Sequence, residues 1–140
     1  MTSEELIQRA QSLCGEFILS HPNISAGTVG SAILTQADQV YTGINMDLFC
    51  GVGFCAEHSA VAEMLKHRET HIKMVVAMKG PQILPPCGRC RELMLQIDVR
   101  NRDALVILPG LVLKPLKELM PMHWMDFSRP KEALNGKAEK

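Results

Sequence analysis

Long apolar runs, net charge, aromatic side chains and internal repeats are what this sequence has least of. No stretch approaches the length of a bilayer-crossing helix, so a membrane span is not expected. Its 15 basic and 15 acidic side chains cancel. No basic cluster stands out either, which argues against a nucleic-acid partner, because polyanion binding leaves a positive footprint on a protein. Aromatics make up 4% of the chain against a hydrophobic share of 46%, so the core is expected to consist of Val, Ile, Leu and Met. The start, Met1-Thr2-Ser3-Glu4-Glu5, is acidic and runs into no continuous apolar segment, unlike a secretory signal. Five cysteines, an odd number, fit a reducing cytoplasmic setting better than a disulfide framework. With 140 residues and no repeat, a single domain is expected.

What is there is concentrated in two short runs, Cys55-Ala56-Glu57 and Pro86-Cys87-Gly88-Arg89-Cys90. Three thiolates suit a soft dication such as zinc, and a catalytic zinc site keeps its fourth position open for water. Cys55, Cys87 and Cys90 are the candidate ligands. Glu57, two residues past the first of them, is the candidate acid/base group beside that water. A Cys-x-x-Cys alone also suits structural zinc or a redox dithiol. The upstream Cys-x-Glu and the proline before Cys87 narrow the choice, because together they form the zinc deaminase signature, in which the Glu moves protons and does not ligate.

Thr2-Ser3-Glu4-Glu5 reads as a capping box. The apolar stripe Leu6, Ala10, Leu13, Cys14, Phe17 and Ile18 then predicts a helix to about Ser20. Runs over Thr28 to Leu34 and Val40 to Ile44 flank a polar turn and predict a hairpin. A glycine-containing loop then delivers Cys55 to a helix over Ala56 to His67. Strands are expected over Ile72 to Met78, Ala104 to Leu108 and Leu111 to Lys114, with helices from near Cys87 to Ile97 and from Pro115 to about Met120. From Ser128 the chain reads as a charged, disordered tail, which leaves residues 1–127 as the domain and 128–140 as the tail. Strands joined through helices favour a sheet with parallel members and helices on its faces.

Both cysteine runs fall at predicted helix starts, where free amides and the dipole stabilise thiolate. Three thiolates on a dication leave a formal charge of about minus one, which works against acidifying the bound water. Arg89 and Arg91 flank Cys90 as candidate compensating cations, and for Arg91 an ordinary surface charge is an equal reading. Cys14 and Cys50 are read as inert buried thiols.

From about Thr28 to Trp124 the chain resembles the small, three-cysteine zinc-dependent cytidine deaminases, including their blasticidin-S deaminase-like members. The resemblance implies an α/β fold, a three-layer α-β-α domain with a mixed central sheet and helices on both faces, one Zn2+ per chain, and a homotetramer. Within Tyr41-Thr42-Gly43-Ile44-Asn45 it implies that Asn45, with Asp47, holds a ribose hydroxyl. Both residues also suit an ordinary turn. In Leu119 to Trp124 it makes Trp124 a pocket wall, often that of a neighbouring subunit, although a lone tryptophan also suits a core or an interface. Departures accompany the likeness. His58 follows Glu57 where an Arg is usual, Arg89 inside the Cys-x-x-Cys is the blasticidin-S deaminase pattern, Gly27 stands at an aromatic position, Asp47 replaces Glu, Leu48 replaces Asn, and Glu92 replaces Gln.

The expected activity is hydrolytic deamination of cytidine, deoxycytidine or a modified cytosine nucleoside, a small-molecule substrate, with ammonia release. A blasticidin-S deaminase-like detoxifying enzyme is the alternative. A zinc-stabilised nucleoside-binding protein without turnover is the alternative from another class, and polynucleotide editing is disfavoured by the neutral charge.

Overall fold

A computed structural model describes residues 1–127, and the tail expected at 128–140 lies outside the described residues. In chain order the elements are α1 (Ser3–Gln11), β1 (Phe17–Ile18), β2 (Ser25–Thr35), β3 (Val40–Asp47), α2 (Ala56–Lys66), β4 (Ile72–Lys79), β5 (Gln82–Leu84), α3 (Gly88–Ile97), β6 (Leu105–Leu108) and β7 (Val112–Pro115). The strands form one seven-stranded sheet. β3 and β4 lie on either side of β2 and both run antiparallel to it, while β4 pairs in parallel with β6. β7 closes that side antiparallel to β6, and the short β1 and β5 extend the edges of β2 and β4.

This order explains where the helices lie. β3 and β4 point the same way with β2 between them, so α2 has to cross over β2, and α3 makes the next step from β4 to β6 in the same direction. Right-handed crossovers that advance in one direction put their helices on one face of a sheet. Ala60, Val61 and Met64 of α2 accordingly pack with Met94 and Leu95 of α3 against Ile33, Val75 and Val106. Alternate strand residues turn to the opposite face, where Ala32, Leu34, Val76, Met78 and Ile107 meet Leu6 and Ala10 of α1. The result is the α-β-α, mixed-sheet, α/β architecture that the resemblance implies, with β4 buried on both faces.

The second consequence of this topology concerns the helix starts. β3 and β4 end on the same side of the sheet, and the chain enters α2 after a loop from β3 and α3 after the short return strand β5 from β4. The N-termini of α2 and α3 are therefore brought together at one edge, the usual location of sites in open α/β sheets.

Three expectations change. The first helix carries its capping box, with the Glu5 amide donating to Thr2 Oγ1 at 3.1 Å and the Thr2 amide to Glu5 Oε2 at 2.8 Å. It ends at Gln11, however, and not near Ser20. The Gly15 amide instead donates to the Gly27 carbonyl at 2.8 Å, and Phe17 and Ile18 go on as an exposed strand paired with Ala26 and Ser25. Their helical spacing was coincidental. The helix expected from Pro115 is a single 3-10 turn, Leu116–Leu119. Finally, no strand is expected between Met78 and Cys87, where Pro81, Pro85 and Pro86 interrupt the chain, yet Gln82–Leu84 pairs with the end of β4 as β5.

β3 and α2 approach each other closely at Gly43. A Cβ there would lie 2.5 Å from the Ala60 amide nitrogen and 2.6 Å from Ser59 Cβ, so the side chain must be absent. Gly43→Ala is expected to push α2 off the sheet and lower the urea midpoint, at a cost of roughly 1–3 kcal/mol. A midpoint equal to wild type would show that the helix has room to spare.

Candidate active site

The loop after β3 turns through Phe49–Gly51 and comes back to pair Phe54 with Met46, the two backbone bonds measuring 3.0 and 3.1 Å. The next residue, Cys55, is thereby delivered as the N-cap of α2. Cys87 is likewise the N-cap of α3, and Cys90 follows in its first turn. The sulfurs of Cys55 and Cys87 are 3.4 Å apart, those of Cys87 and Cys90 also 3.4 Å, and all three lie within 4.8 Å of one another. Zn–S bonds of about 2.3 Å place tetrahedral sulfurs about 3.8 Å apart, so this donor set fits zinc in both chemistry and spacing.

Without metal, burial pushes the Cys55 thiol up. Burial does the same to the deeply placed Cys90, helped by the charge of Glu57. Cys87 moves the other way. Burial acts to raise it, but hydrogen bonds from the Cys90 amide, the neighbouring thiols and the Arg89 amide outweigh that and bring it down. Those amides are the free donors of a helix start.

Glu57 sits in the first turn of α2 and is 4% exposed. Burial pushes its carboxyl up, with its own backbone amide and Cys90 pulling partly back. The imidazole of His58 stacks on Phe54 and brings Nδ1 to 3.5 Å from Cys90 Sγ, so the residue that replaces the usual Arg still touches a candidate ligand sulfur. Burial, with the Arg89 charge second, holds this histidine below the ordinary imidazole range.

A cavity of about 420 Å³ opens over these groups, and Asn45, Asp47, Cys55, Glu57, Cys87 and Arg89 are on its wall. That volume lies within the range usual for small-molecule sites, roughly 300–1,000 Å³. Asn45, 7% exposed, is fixed at both ends of its amide. Its Oδ1 accepts from the Val29 amide at 2.9 Å, and its Nδ2 donates to Asp47 Oδ2 at 3.3 Å. Val29 and the apolar wall from Phe54 and Leu84 carried no signal in the sequence, because their roles come from the sheet register.

Other residues singled out in the sequence lie elsewhere. Arg91 turns away from the cavity, its Nε donating to the Pro86 carbonyl at 2.8 Å and its Nη1 to the Leu119 carbonyl at 3.0 Å. Trp124 is 55% exposed, donates to Glu92 at 3.0 Å and does not line this chain's own cavity. Gly27 has φ +87, and a Cβ on it would lie 2.6 Å from the Gly15 carbonyl, so an aromatic side chain has no place at that position. Cys14 is half-buried and reaches the Met78 carbonyl, whereas Cys50, expected to be buried, is exposed in the 3-10 turn. Among the described residues, no helix is long and apolar enough to cross a membrane.

The chain is 27% identical over 109 residues to a blasticidin-S deaminase of Bacillus cereus, an alignment spanning 69% of this chain and 76% of the relative. It is 26% identical over 95 residues to a probable cytidine deaminase of Dictyostelium discoideum, spanning 66% and 65% of the two chains. A solved cytidine deaminase from Mycobacterium tuberculosis superposes with a TM-score of 0.74 at 24% identity, covering 89% of this chain and 98% of that one, which shows a shared fold. The family model described as cytidine and deoxycytidylate deaminase zinc-binding region matches residues 2–104. That match takes in both cysteine runs and Glu57, and the chain accordingly belongs to the zinc-dependent cytidine and deoxycytidylate deaminase family.

Proposed function

We propose that residues 1–127 form a hydrolytic deaminase acting on a free cytosine nucleoside, be it cytidine, deoxycytidine or a modified relative, to give the uracil product and ammonia. The observation that carries this reading is that Glu57, two of the three thiols and the Asn45–Asp47 pair share one cavity wall. Held by Cys55, Cys87 and Cys90, zinc supplies the Lewis acidity that makes an attacking water reactive at neutral pH.

The remaining work falls to the chain's own side chains. Glu57 takes a proton from the water as oxygen adds to C4 of the ring and delivers one to N3. It then takes the remaining proton from the hydroxyl on C4 and passes it to the amine, so that the C4–N bond breaks, ammonia leaves and the C4 carbonyl forms. Its burial keeps the carboxyl from being a weak, fully solvated base. The amide of Asn45 has its oxygen occupied by Val29, so toward the cavity it acts as a donor, while Asp47 accepts. A hydroxyl, which accepts and donates at once, suits that pair, and this supports the sugar 3′-hydroxyl as its partner. Arg89 on the cavity wall, with the His58 contact to Cys90, offsets the negative charge of three thiolates.

Phe49 and Val52, on the loop that rims the cavity, are 52% and 65% exposed. Together with Trp124 they support a homo-oligomer, a homotetramer on the family pattern, in which a neighbour covers the opening. Reduced thiols and the absence of a net positive charge support a cytoplasmic enzyme of free nucleosides and not of nucleic acids.

A second reading, detoxification of blasticidin S, is favoured by Arg89 within the Cys-x-x-Cys and by the Bacillus cereus relative. The test is ammonia release by zinc-loaded protein from cytidine, deoxycytidine, cytosine and blasticidin S. Turnover of the plain nucleosides is expected and would fit pyrimidine salvage. Turnover of blasticidin S alone would move the assignment to detoxification. Silence across the panel by protein carrying about one zinc per chain would overturn turnover of the plain nucleosides and leave either an unusual modified cytosine or the nucleoside-binding reading.

A further inference from the structure

Two successive residues of α3 reach from the metal site to the C-terminal segment. Arg91 lies one turn beyond Cys87 and spans two carbonyls, those of Pro86 and Leu119. Pro86 is buried and directly precedes Cys87, so a bond to its carbonyl fixes where that ligand enters the helix. Glu92 accepts from His123 Nε2 at 2.8 Å with one carboxylate oxygen and from Trp124 Nε1 at 3.0 Å with the other. The Met125 amide donates to His123 Nδ1 at 3.2 Å, which leaves the ring proton on Nε2 and makes the bond to Glu92 a donated one. His123 is 8% exposed, so this is no loose surface pair. The segment from Leu116–Leu119 to Trp124–Phe127 is thus fastened to the helical turn that presents Cys87 and Cys90.

We infer that Arg91 is a positioning residue for the Cys87 ligand and that, with Glu92, it makes the C-terminal segment a strap whose docking and zinc retention stabilise each other. The planar fork of arginine bridges two carbonyls from one fixed position, whereas lysine offers its three donors from a single nitrogen on a flexible stem and does not reproduce that fork. Such a coupling is reciprocal, so a docked strap slows metal loss and a bound metal holds the strap. Partners that orient a ligand from behind typically matter by roughly 10- to 100-fold in metal affinity. The inference rests on zinc ligation by the three thiols and does not depend on which nucleoside is the substrate.

Zinc release to a chromogenic chelator from the full-length, zinc-loaded chain tests it, with thermal unfolding and Trp124 emission measured alongside. Arg91→Lys is expected to release zinc roughly 10-fold faster or more. In wild type, Trp124 emission should shift when zinc is stripped, and it should shift back on reloading. Glu92→Gln, whose side chain offers one acceptor where the carboxylate offers two, should release zinc faster than wild type and show the stripped emission while still loaded. It also serves if the lysine variant fails to fold. Release within twofold of wild type in both variants, even with a lower melting temperature, would reduce the contacts to ordinary packing and overturn the inference. So would a Trp124 emission indifferent to zinc. Wild-type chain that binds no zinc at all would instead sink the ligation reading beneath it.

Discussion

Glu57→Gln is expected to release ammonia from the preferred nucleoside between about 100- and 10,000-fold more slowly than wild type, toward the upper end because the proposed mechanism gives every proton transfer to this one carboxylate. The amide keeps the size and most of the hydrogen bonding of the carboxyl but cannot take a proton from water. The zinc content should stay at the wild-type level, since Glu57 is not one of the three sulfur ligands. Stability should not fall either. Burial pushes the Glu57 carboxyl up, which means that the folded state bears a cost for keeping it charged, and the neutral amide removes that cost. Loss of turnover with intact zinc and an equal or higher melting temperature is therefore the signature to look for. Activity within tenfold of wild type would remove Glu57 from the chemistry.

Asn101→Ala is expected to be among the most damaging substitutions outside the site. Asn101 is fully buried in the turn between α3 and β6. Its Oδ1 accepts from the Ile72 amide at 2.7 Å, and its Nδ2 donates to the Thr70 carbonyl at 2.9 Å and the Met94 carbonyl at 2.8 Å. One side chain thus joins the end of α3, the entry to β4 and the approach to β6. Alanine leaves a buried amide and two carbonyls without that partner and opens a small void, at a cost of roughly 3–5 kcal/mol. Out of a typical total of about 5–15 kcal/mol, such a loss would leave much of the chain unfolded at modest urea. Asn101→Asp tests the geometry separately: it keeps the acceptor for Ile72 but turns a carboxylate oxygen toward two carbonyls, so it should fare no better. A urea midpoint close to wild type for both variants would show that water replaces the network.

The three-thiol cluster that makes the candidate metal site was legible in the sequence because its spacing is local. Cys87 and Cys90 are close along the chain, Cys55 and Glu57 likewise, and each pair opens a helix whose apolar pattern is clear. The α/β order was legible for a similar reason, since β2, β4 and β6 are apolar runs bounded by turns. Asn101 was not legible. Its three partners lie in different elements, and a lone asparagine before Arg102 and Asp103 looks like any polar turn. The end of the first helix was misread because Phe17 and Ile18 keep helical spacing, and only the backbone pairing of Gly15 with Gly27 shows why the helix has stopped. Arg91 was half read: its charge near the ligands was visible, but the two carbonyls it bridges lie on either side of a fold that the sequence does not display.

The position of β4 between the two crossovers also bears on the order in which the molecule assembles. Cys55 enters before that strand and Cys87 after it, and the starts of α2 and α3 become neighbours only when β4 has taken its place beside β2. The β2–β3 hairpin can form early as a local unit, but it brings no pair of ligands together. Closing the long loop between the cysteines requires the central strand first, and loop closure of that kind is the slow part of folding. Assembly of the three sulfurs into one cluster is therefore expected late along the folding path, once the sheet is complete.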